Sequence, residues 1–205
     1  MSVALNVSKR DERRETILDV ARDCFLADGY ATTSMSTIAA RLGGSKGTLY
    51  NYFKNKEELF AAVIQRQCGE VLEGISEAPA DEPDPRTRLL RMARNLLARL
   101  LQPDALAINR LVIAEGDRFP ELGRLFYESG PRRGRDRIAA QLKPLMDSGQ
   151  LRRADPLQAA SQLKDLTIGN VLWLRLWGAE PALTAEEIDG YVVRGIDTFL
   201  RAYAP

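Results

Sequence analysis

From Ser34 to Phe60 the chain reads SMSTIAARLGGSKGTLYNYFKNKEELF, and this stretch decides how the amino-terminal part folds. Ser34 is placed to cap a short helix, Met35 to Leu42, with Met35, Ile38, Ala39 and Leu42 facing inward. Gly43 and Gly44 permit a sharp turn with positive φ. Ser45 can cap a second short helix, Lys46 to Tyr52, with Leu49 and Phe53 directed inward. Asn55 followed by Glu58 makes a capping-box-like start for a long helix reaching about Glu77. The outer face of the second short helix is too polar and basic for a core, and suits a DNA groove.

A helix-turn-helix exposes polar side chains at the start of its second helix and buries a small apolar set beneath them. Ser45, Lys46, Gly47, Thr48, Tyr50, Asn51 and Tyr52 meet that requirement. Asn51 has the amide that reads an adenine edge, and Thr48 suits a thymine methyl or a phosphate. Gly47 lets the backbone approach a base closely, while Tyr52 and Lys56 lie one turn on, where phosphates are expected. The start of the Met35–Leu42 helix brings Ser36, Thr37 and a partial positive dipole to the duplex backbone. Singly, each of these residues is as much at home on a solvated connector. Their ordered combination, after an amphipathic helix and before a capped one, favours DNA.

Working outward, a first helix is predicted from about Lys9 to Asp28, with Ile17, Ala21, Cys24 and Phe25 on one face, Leu18 beside them and Gly29 as its stop. Two readings stand for Lys9, Arg10, Arg13 and Arg14: an arm that follows phosphates or enters a minor groove, or a solvated helix start balanced by Asp11, Glu12 and Glu15. Beyond the long helix a polar, proline-rich connector runs from Pro79 to Pro85. Helical periodicity then fits Pro85–Leu101, Asp104–Asp117, Pro120–Ser129, Arg132–Asp147, Pro156–Gly178 and Ala185–Tyr203. Asp84-Pro85, Asp155-Pro156 and Thr184-x-x-Glu187 mark helix starts. Gly130-Pro131 either kinks or breaks a helix. The fold class is all-α, with a head over residues 1–56 and a larger helical domain over residues 57–205.

Composition narrows the function. Apolar residues make up 45% of 205, enough for a real core, and 28% charged residues leave a solvated exterior. With no histidine, Ser-His and Cys-His nucleophiles and histidine zinc sites are excluded. Cys24 and Cys68 lack metal-ligand spacing and read as reduced apolar fillers, so no metal or cofactor is expected. Glu57-Glu58 and Glu186-Glu187 are adjacent carboxylates in first turns, where capping explains them better than acid–base catalysis. No phosphate loop or dinucleotide fingerprint occurs, and an enzyme is not expected. No window approaches the roughly 18 apolar residues of a membrane span, and Met1 to Val7 lacks signal-peptide character, so a cytoplasmic location without membrane is expected. Through Lys56 there are nine lysines and arginines against six acids; the remainder has twenty against twenty-two. A basic head on a slightly acidic body suits duplex binding joined to a separate sensor or assembly domain.

Gly29-Tyr30, Thr33, Ile38-Ala39, Gly43, Ser45-Lys46-Gly47-Thr48-Leu49-Tyr50, Tyr52-Phe53 and Lys56-Glu57-Glu58-Leu59 together resemble the TetR family of bacterial transcriptional regulators over about residues 10–60. Arg110-Leu-Val-Ile-Ala-Glu115, Arg118-Phe-Pro-Glu-Leu122 and Leu172-Trp-Leu-Arg-Leu-Trp177 resemble one branch of that family's sensor domains. The resemblance implies a recognition helix at Lys46–Tyr52. It further implies base contacts from Ser36, Lys46, Gly47, Tyr50 and Asn51, and phosphate contacts from Thr48, Tyr52 and Lys56. Gly44 stands where a larger apolar residue is frequent, and Asn51 where histidine or an aromatic is frequent, so an operator preference does not transfer from a relative.

Of the two last long helices, the first carries Leu163, Leu166 and Leu174 on a wide apolar face and the second carries Val192, Ile196 and Phe199 on another. An internal hairpin and a dimer seam look alike in one sequence; the resemblance implies a four-helix bundle across a two-fold axis, hence a homodimer. Two recognition helices on one duplex face imply a pseudo-palindromic operator with half-sites about 34–36 Å apart, or a multiple of that. A small-molecule effector is expected in a cavity among the central helices. Its candidate lining is Met92, Asn95, Leu96, Asn109 and Val112, with Ile113, Phe126, Tyr127, Asn170 and Trp173. Arg132, Arg133, Arg135 and Arg137 suit either an anion or plain solvent. The Lys56–Glu77 helix, spanning about 33 Å at 1.5 Å per residue, would carry the effector signal to the heads. The competing reading is a ligand-independent architectural or protein-interaction module that binds duplex without regulating a promoter.

Overall fold

Hydrophobic spacing accounts for the second half of the first helix, α1 (Ser2–Asp28), where Ile17, Leu18, Ala21, Cys24 and Phe25 are all fully buried. The computed structural model describes residues 2–75, 84–179 and 183–205, with side chains from Lys9 onward. Described elements after α1 are α2 (Met35–Arg41), α3 (Lys46–Tyr50), α4 (Lys56–Leu72), α5 (Pro85–Leu100), α6 (Pro103–Glu115), α7 (Pro120–Ser129) and α8 (Pro131–Asp147). They continue with α9 (Pro156–Lys164), a π-helical turn (Asp165–Gly169), α10 (Asn170–Trp177) and α11 (Ala185–Ala202). No strand occurs among the described residues. The chain divides into two compact units, Met1–Gln67 with Arg110–Phe126, and Cys68–Asn109 with Tyr127–Pro205.

In the first unit α1 stops at Gly29, whose φ of +81° is a conformation glycine adopts without strain. The next residue, Tyr30, is buried among aromatics from other elements. Its ring centroid lies 5.8 Å from Phe25 in α1, 4.8 Å from Phe60 in α4 and 5.1 Å from Phe119 before α7. Leu59, Phe60, Val63 and Ile64 of α4 are fully buried as well. Arg66 of α4 reaches Glu15 at 3.0 Å and Asp19 at 2.9 Å on α1. With both carboxylates exposed, these pairs add little stability, though they link the two helices. The unit therefore does not close after Lys56, as the change in composition suggested. The apolar face of α4 and the Phe119 segment complete its core.

Three further boundaries differ from sequence expectation. α1 begins at Ser2 rather than Lys9. α4 ends at Leu72, giving 17 residues and about 25 Å, while Glu77 and most of the Pro79–Pro85 connector lie outside the described residues. Leu42 is only half-buried at the end of α2, and of the glycine pair only Gly43 takes a positive φ.

The second unit starts its helices as the sequence foretold. Asp84 accepts from the Arg86 and Thr87 amides, Asp155 from Leu157, and Thr184 forms a reciprocal capping box with Glu187. At Gly130-Pro131 the chain breaks into α7 and α8 with only Gly130 between them. Pro156–Gly178, expected as one helix, widens into a π turn at Asp165–Gly169. Opposite that turn sits Gly195 of α11, where a Cβ would fall 2.4 Å from the Leu166 carbonyl oxygen. The two backbones are closer than any side chain allows. The hydroxyl oxygen of Tyr191, also of α11, accepts the Asn170 backbone amide at 3.4 Å.

Leu163, Val192, Ile196 and Phe199 are at most 1% exposed and belong to this unit's own core, with Leu89, Leu97 and Leu142. They cannot be offered to a second copy as a dimer seam. The intramolecular hairpin is the correct reading for these four, and Leu166 and Leu174 are half-buried beside them. On α10, Trp173 and Trp177 stay 48% and 69% exposed with their rings stacked at 5.7 Å. On the exterior, Arg86 bonds Asp197 at 2.7 Å and Arg94 bonds Asp189 at 2.6 Å, tying α5 to α11.

Two glycines should respond in opposite ways to alanine. Gly195→Ala overpacks a backbone contact and should cost about 2–3 kcal/mol, seen in thermal melts as a drop of roughly 4–12 °C. Gly123→Ala in α7, where a Cβ meets nothing within 4 Å, should be neutral or stabilise by up to about 1 kcal/mol. Acid titration provides a separate check. The arginine hydrogen bonds hold the Asp189 and Asp197 carboxyls below their ordinary value. A depressed folded pKa contributes stability that is fully present above the unfolded value near pH 4 and is lost as pH falls from there through the folded value. Asp189→Asn with Asp197→Asn should therefore narrow the loss of melting temperature between about pH 6 and pH 3.

Candidate nucleic-acid interface

Two S-x-x-T caps build the helix-turn-helix. Ser34 accepts the Thr37 amide at 3.1 Å, and Ser45 accepts the Thr48 amide at 3.2 Å. Each serine hydroxyl also bonds the threonine hydroxyl, at 2.9 and 3.1 Å respectively. Both caps thus satisfy amides that each short helix would otherwise leave unpaired. Between the helices Gly43 turns the chain at φ +64°, and the Gly44 amide returns to the Ala39 carbonyl at 3.4 Å. α3 is only five residues long. Asn51 caps its end, and Tyr52 and Phe53 both donate to the Leu49 carbonyl.

This geometry separates two faces. Met35, Ile38, Ala39, Leu49 and Phe53 are buried beneath the motif. Ser36, Thr37, Ser45, Lys46, Gly47, Tyr50 and Asn51 are exposed, and Thr48 and Tyr52 are half-buried. Ser36, Lys46, Gly47, Tyr50 and Asn51, the residues for which the resemblance implies base contacts, are all open to solvent. The outer face is free to enter a groove, and the inner one anchors it.

α1 braces the motif in a way the sequence did not disclose. The Arg10 guanidinium lies 5.9 Å from the Tyr52 ring centroid and that of Arg14 lies 5.5 Å from Phe53. A Cβ on Gly44 would meet the Arg13 guanidinium at 3.5 Å, so the space beside this glycine borders an α1 arginine. Lys9, Arg10, Arg13 and Arg14 are helical, not a loose arm.

Lys56 departs from expectation. Its ammonium donates to the Tyr30 carbonyl at 2.9 Å and the Ala31 carbonyl at 3.4 Å, and stands 4.3 Å from the Tyr30 ring centroid. It is engaged inside the head and not directed at a phosphate. The long helix keeps the anticipated Asn55 cap, accepting the Glu58 amide at 2.8 Å. The Glu58 carboxylate, however, returns to Lys54, one residue before the expected partner. Burial, aided by Glu57 and Glu121, pushes the Tyr30 hydroxyl up to about 12, so it stays neutral near pH 7.

The proposed effector-lining set is scattered in character. Met92, Leu96 and Val112 are buried, and Asn109 and Phe126 half-buried, with the Asn109 amide spent on the Ala105 carbonyl. Asn95, Ile113, Tyr127, Asn170 and Trp173 are exposed, so they do not form an enclosed lining. Cys24 and Cys68 are buried free thiols, and burial raises Cys68 to about 12. Among the described residues no group of His, Cys, Asp and Glu is arranged to hold a metal, and no helix is long and apolar enough to cross a membrane.

Comparison with known proteins matches the two parts of the chain separately. Residues 17–63 match the family model of bacterial regulatory proteins of the tetR family, and residues 87–205 match the C-terminal domain of AefR-like transcriptional repressors. The chain is 28% identical to the HTH-type transcriptional regulator YhgD of Bacillus subtilis, over 90% of this chain and 97% of that protein. Among solved structures, the flavonoid-responsive regulator FrrA is 35% identical with a TM-score of 0.82, covering 95% of this chain and 98% of its own. A TetR-family regulator from Mesorhizobium loti is 31% identical, also at a TM-score of 0.82, covering 97% and 98%. An exposed, capped helix-turn-helix in the head and a matched domain over most of the remaining length lead to one conclusion: this chain belongs to the TetR family of bacterial transcriptional regulators and is a DNA-binding repressor.

Proposed function

We propose that the protein acts in the cytoplasm as a homodimeric repressor that holds a pseudo-palindromic operator and releases it on binding a small-molecule effector. The observation that carries this reading is the exposed face of α3, with Lys46, Gly47, Tyr50 and Asn51 outward over buried Leu49 and Phe53. Ser36, Lys46, Gly47, Tyr50 and Asn51 meet base edges. Thr37, Ser45, Thr48 and Tyr52 meet the phosphate backbone, with Arg10 and Arg14 of α1 adding positive charge beside it. Two such faces, related by a two-fold axis, fit half-sites about one helical turn apart.

The second copy docks on the outer side of α10, where Trp173 and Trp177 expose a stacked aromatic pair. Exposed tryptophans of this size are typical anchors of protein interfaces. For the effector, an aromatic compound of the flavonoid type is proposed, supported by the full-length likeness to a flavonoid-responsive regulator. Its binding would change operator affinity by roughly 5- to 150-fold, the usual range of allosteric coupling.

Selection from a random duplex pool should return a two-fold symmetric sequence. Tyr50→Ala and Asn51→Ala should each relax one base position in both half-sites, by about 1–3 kcal/mol of discrimination. An unsymmetric pool, or unchanged selectivity in both variants, would contradict the assigned reading face. Trp173 and Trp177 are the chain's two tryptophans, so intrinsic emission reports the seam directly. Dilution through the dimer dissociation range should shift emission to the red, and Trp177→Ala should move that range to higher protein concentration.

A further inference from the structure

The chain between α1 and α2 is gripped from both sides. From one side a single carboxylate oxygen of Glu115, the last residue of α6, accepts the Tyr30 amide at 3.0 Å and the Ala31 amide at 3.3 Å. From the other, the Lys56 ammonium takes the carbonyls of the same two residues. Negative charge thus meets the N–H side and positive charge the C=O side, which makes all four bonds charge-assisted.

Glycine is needed for that approach. A Cβ on Gly29 would lie 3.1 Å from the same Glu115 oxygen, and the residue's φ of +81° already disfavours any side chain. The turn is also welded to the start of α2. Thr33 donates its hydroxyl to the Gly29 carbonyl at 2.7 Å and lies next to Ser34, the cap of that helix. Displacing the turn therefore displaces the start of the helix-turn-helix. A displacement of the Glu115 carboxylate by about 1 Å directly away from the turn takes both amide bonds beyond hydrogen-bonding range.

Building on the repressor reading above, we propose that Glu115 is the positioning residue of the DNA-binding head: its hold on the Tyr30 and Ala31 amides keeps α2 and α3 in their DNA-binding arrangement. Glu115 touches no DNA. It acts through the turn, and Phe119, four residues on, seals the same spot by packing on the Tyr30 ring.

Hydrogen–deuterium exchange and operator binding on the full-length protein test this together. The binding probe is the duplex that wild type selects from a random pool. In Glu115→Ala, exchange should quicken from Gly29 through Tyr50 while segments of the second unit stay at wild-type rates. Affinity for the selected duplex should fall roughly 10-fold or more, with affinity for scrambled duplex unchanged. Glu115→Gln keeps an acceptor oxygen without its charge and should lie between wild type and Glu115→Ala in both measurements. Should Glu115→Ala not fold, Glu115→Gln carries the test alone. Quickened exchange confined to Tyr30 and Ala31, or wild-type affinity and exchange in Glu115→Gln, would overturn the proposal. A wild-type protein that selects no sequence would sink the repressor reading instead, while exchange across α2 and α3 would still judge the grip of Glu115.

Discussion

Burial of the Tyr30 ring is the constraint on which the first unit is built. Phe25 from α1, Phe60 from α4 and Phe119 ahead of α7 converge on it from three stretches far apart in sequence. Aromatic rings bury large areas and prefer offset or edge-on neighbours, so each partner has limited freedom once the others are seated. The tyrosine also brings backbone with it. Its amide and carbonyl must find partners in a dry setting, and Glu115 and Lys56 supply them. One side chain thereby orients α1, the end of α6 and the start of α4, and the helix-turn-helix hangs from the turn that carries it.

The segment proposed to read DNA is held by very little structure of its own. α3 has five residues and buries one of them, Leu49, within its own span. A helix this short has no stability by itself. It persists because Ser45 caps its start, Phe53 anchors the chain just beyond its end, and α1 supplies Arg10 and Arg14 against Tyr52 and Phe53. Because support comes from below and behind, the outward side chains are left with no structural duty and are available to nucleobases.

In the second unit the governing feature is the close approach of α11 to the π turn. Gly195 faces the Leu166 carbonyl, and the widened turn lets that backbone advance without a side chain between. Such wide turns often occur at functional sites. Here the turn directly precedes α10 and its exposed tryptophans, so the geometry that packs the core also sets the direction of the face offered outward.

Much of this was legible in the residues themselves. Helix starts at Asp84, Asp155 and Thr184, the buried stripe of α1, and the polar-out, apolar-in division of α3 all come from local rules of capping and 3.6-residue spacing. Those rules act within a few residues and do not need the rest of the chain. Where partners lie far apart in sequence, local rules fell silent. Nothing near Glu115 indicates that it holds amides more than eighty positions earlier. Nothing near Lys56 shows that its charge is already claimed by carbonyls of the α1–α2 turn. An apolar stripe likewise does not say whether it meets its own chain or another; only the packed core placed Val192, Ile196 and Phe199 inside one copy and left Trp173 and Trp177 outside. Local propensity chose the helices, and long-range packing, which alone decides what each face meets, chose their partners.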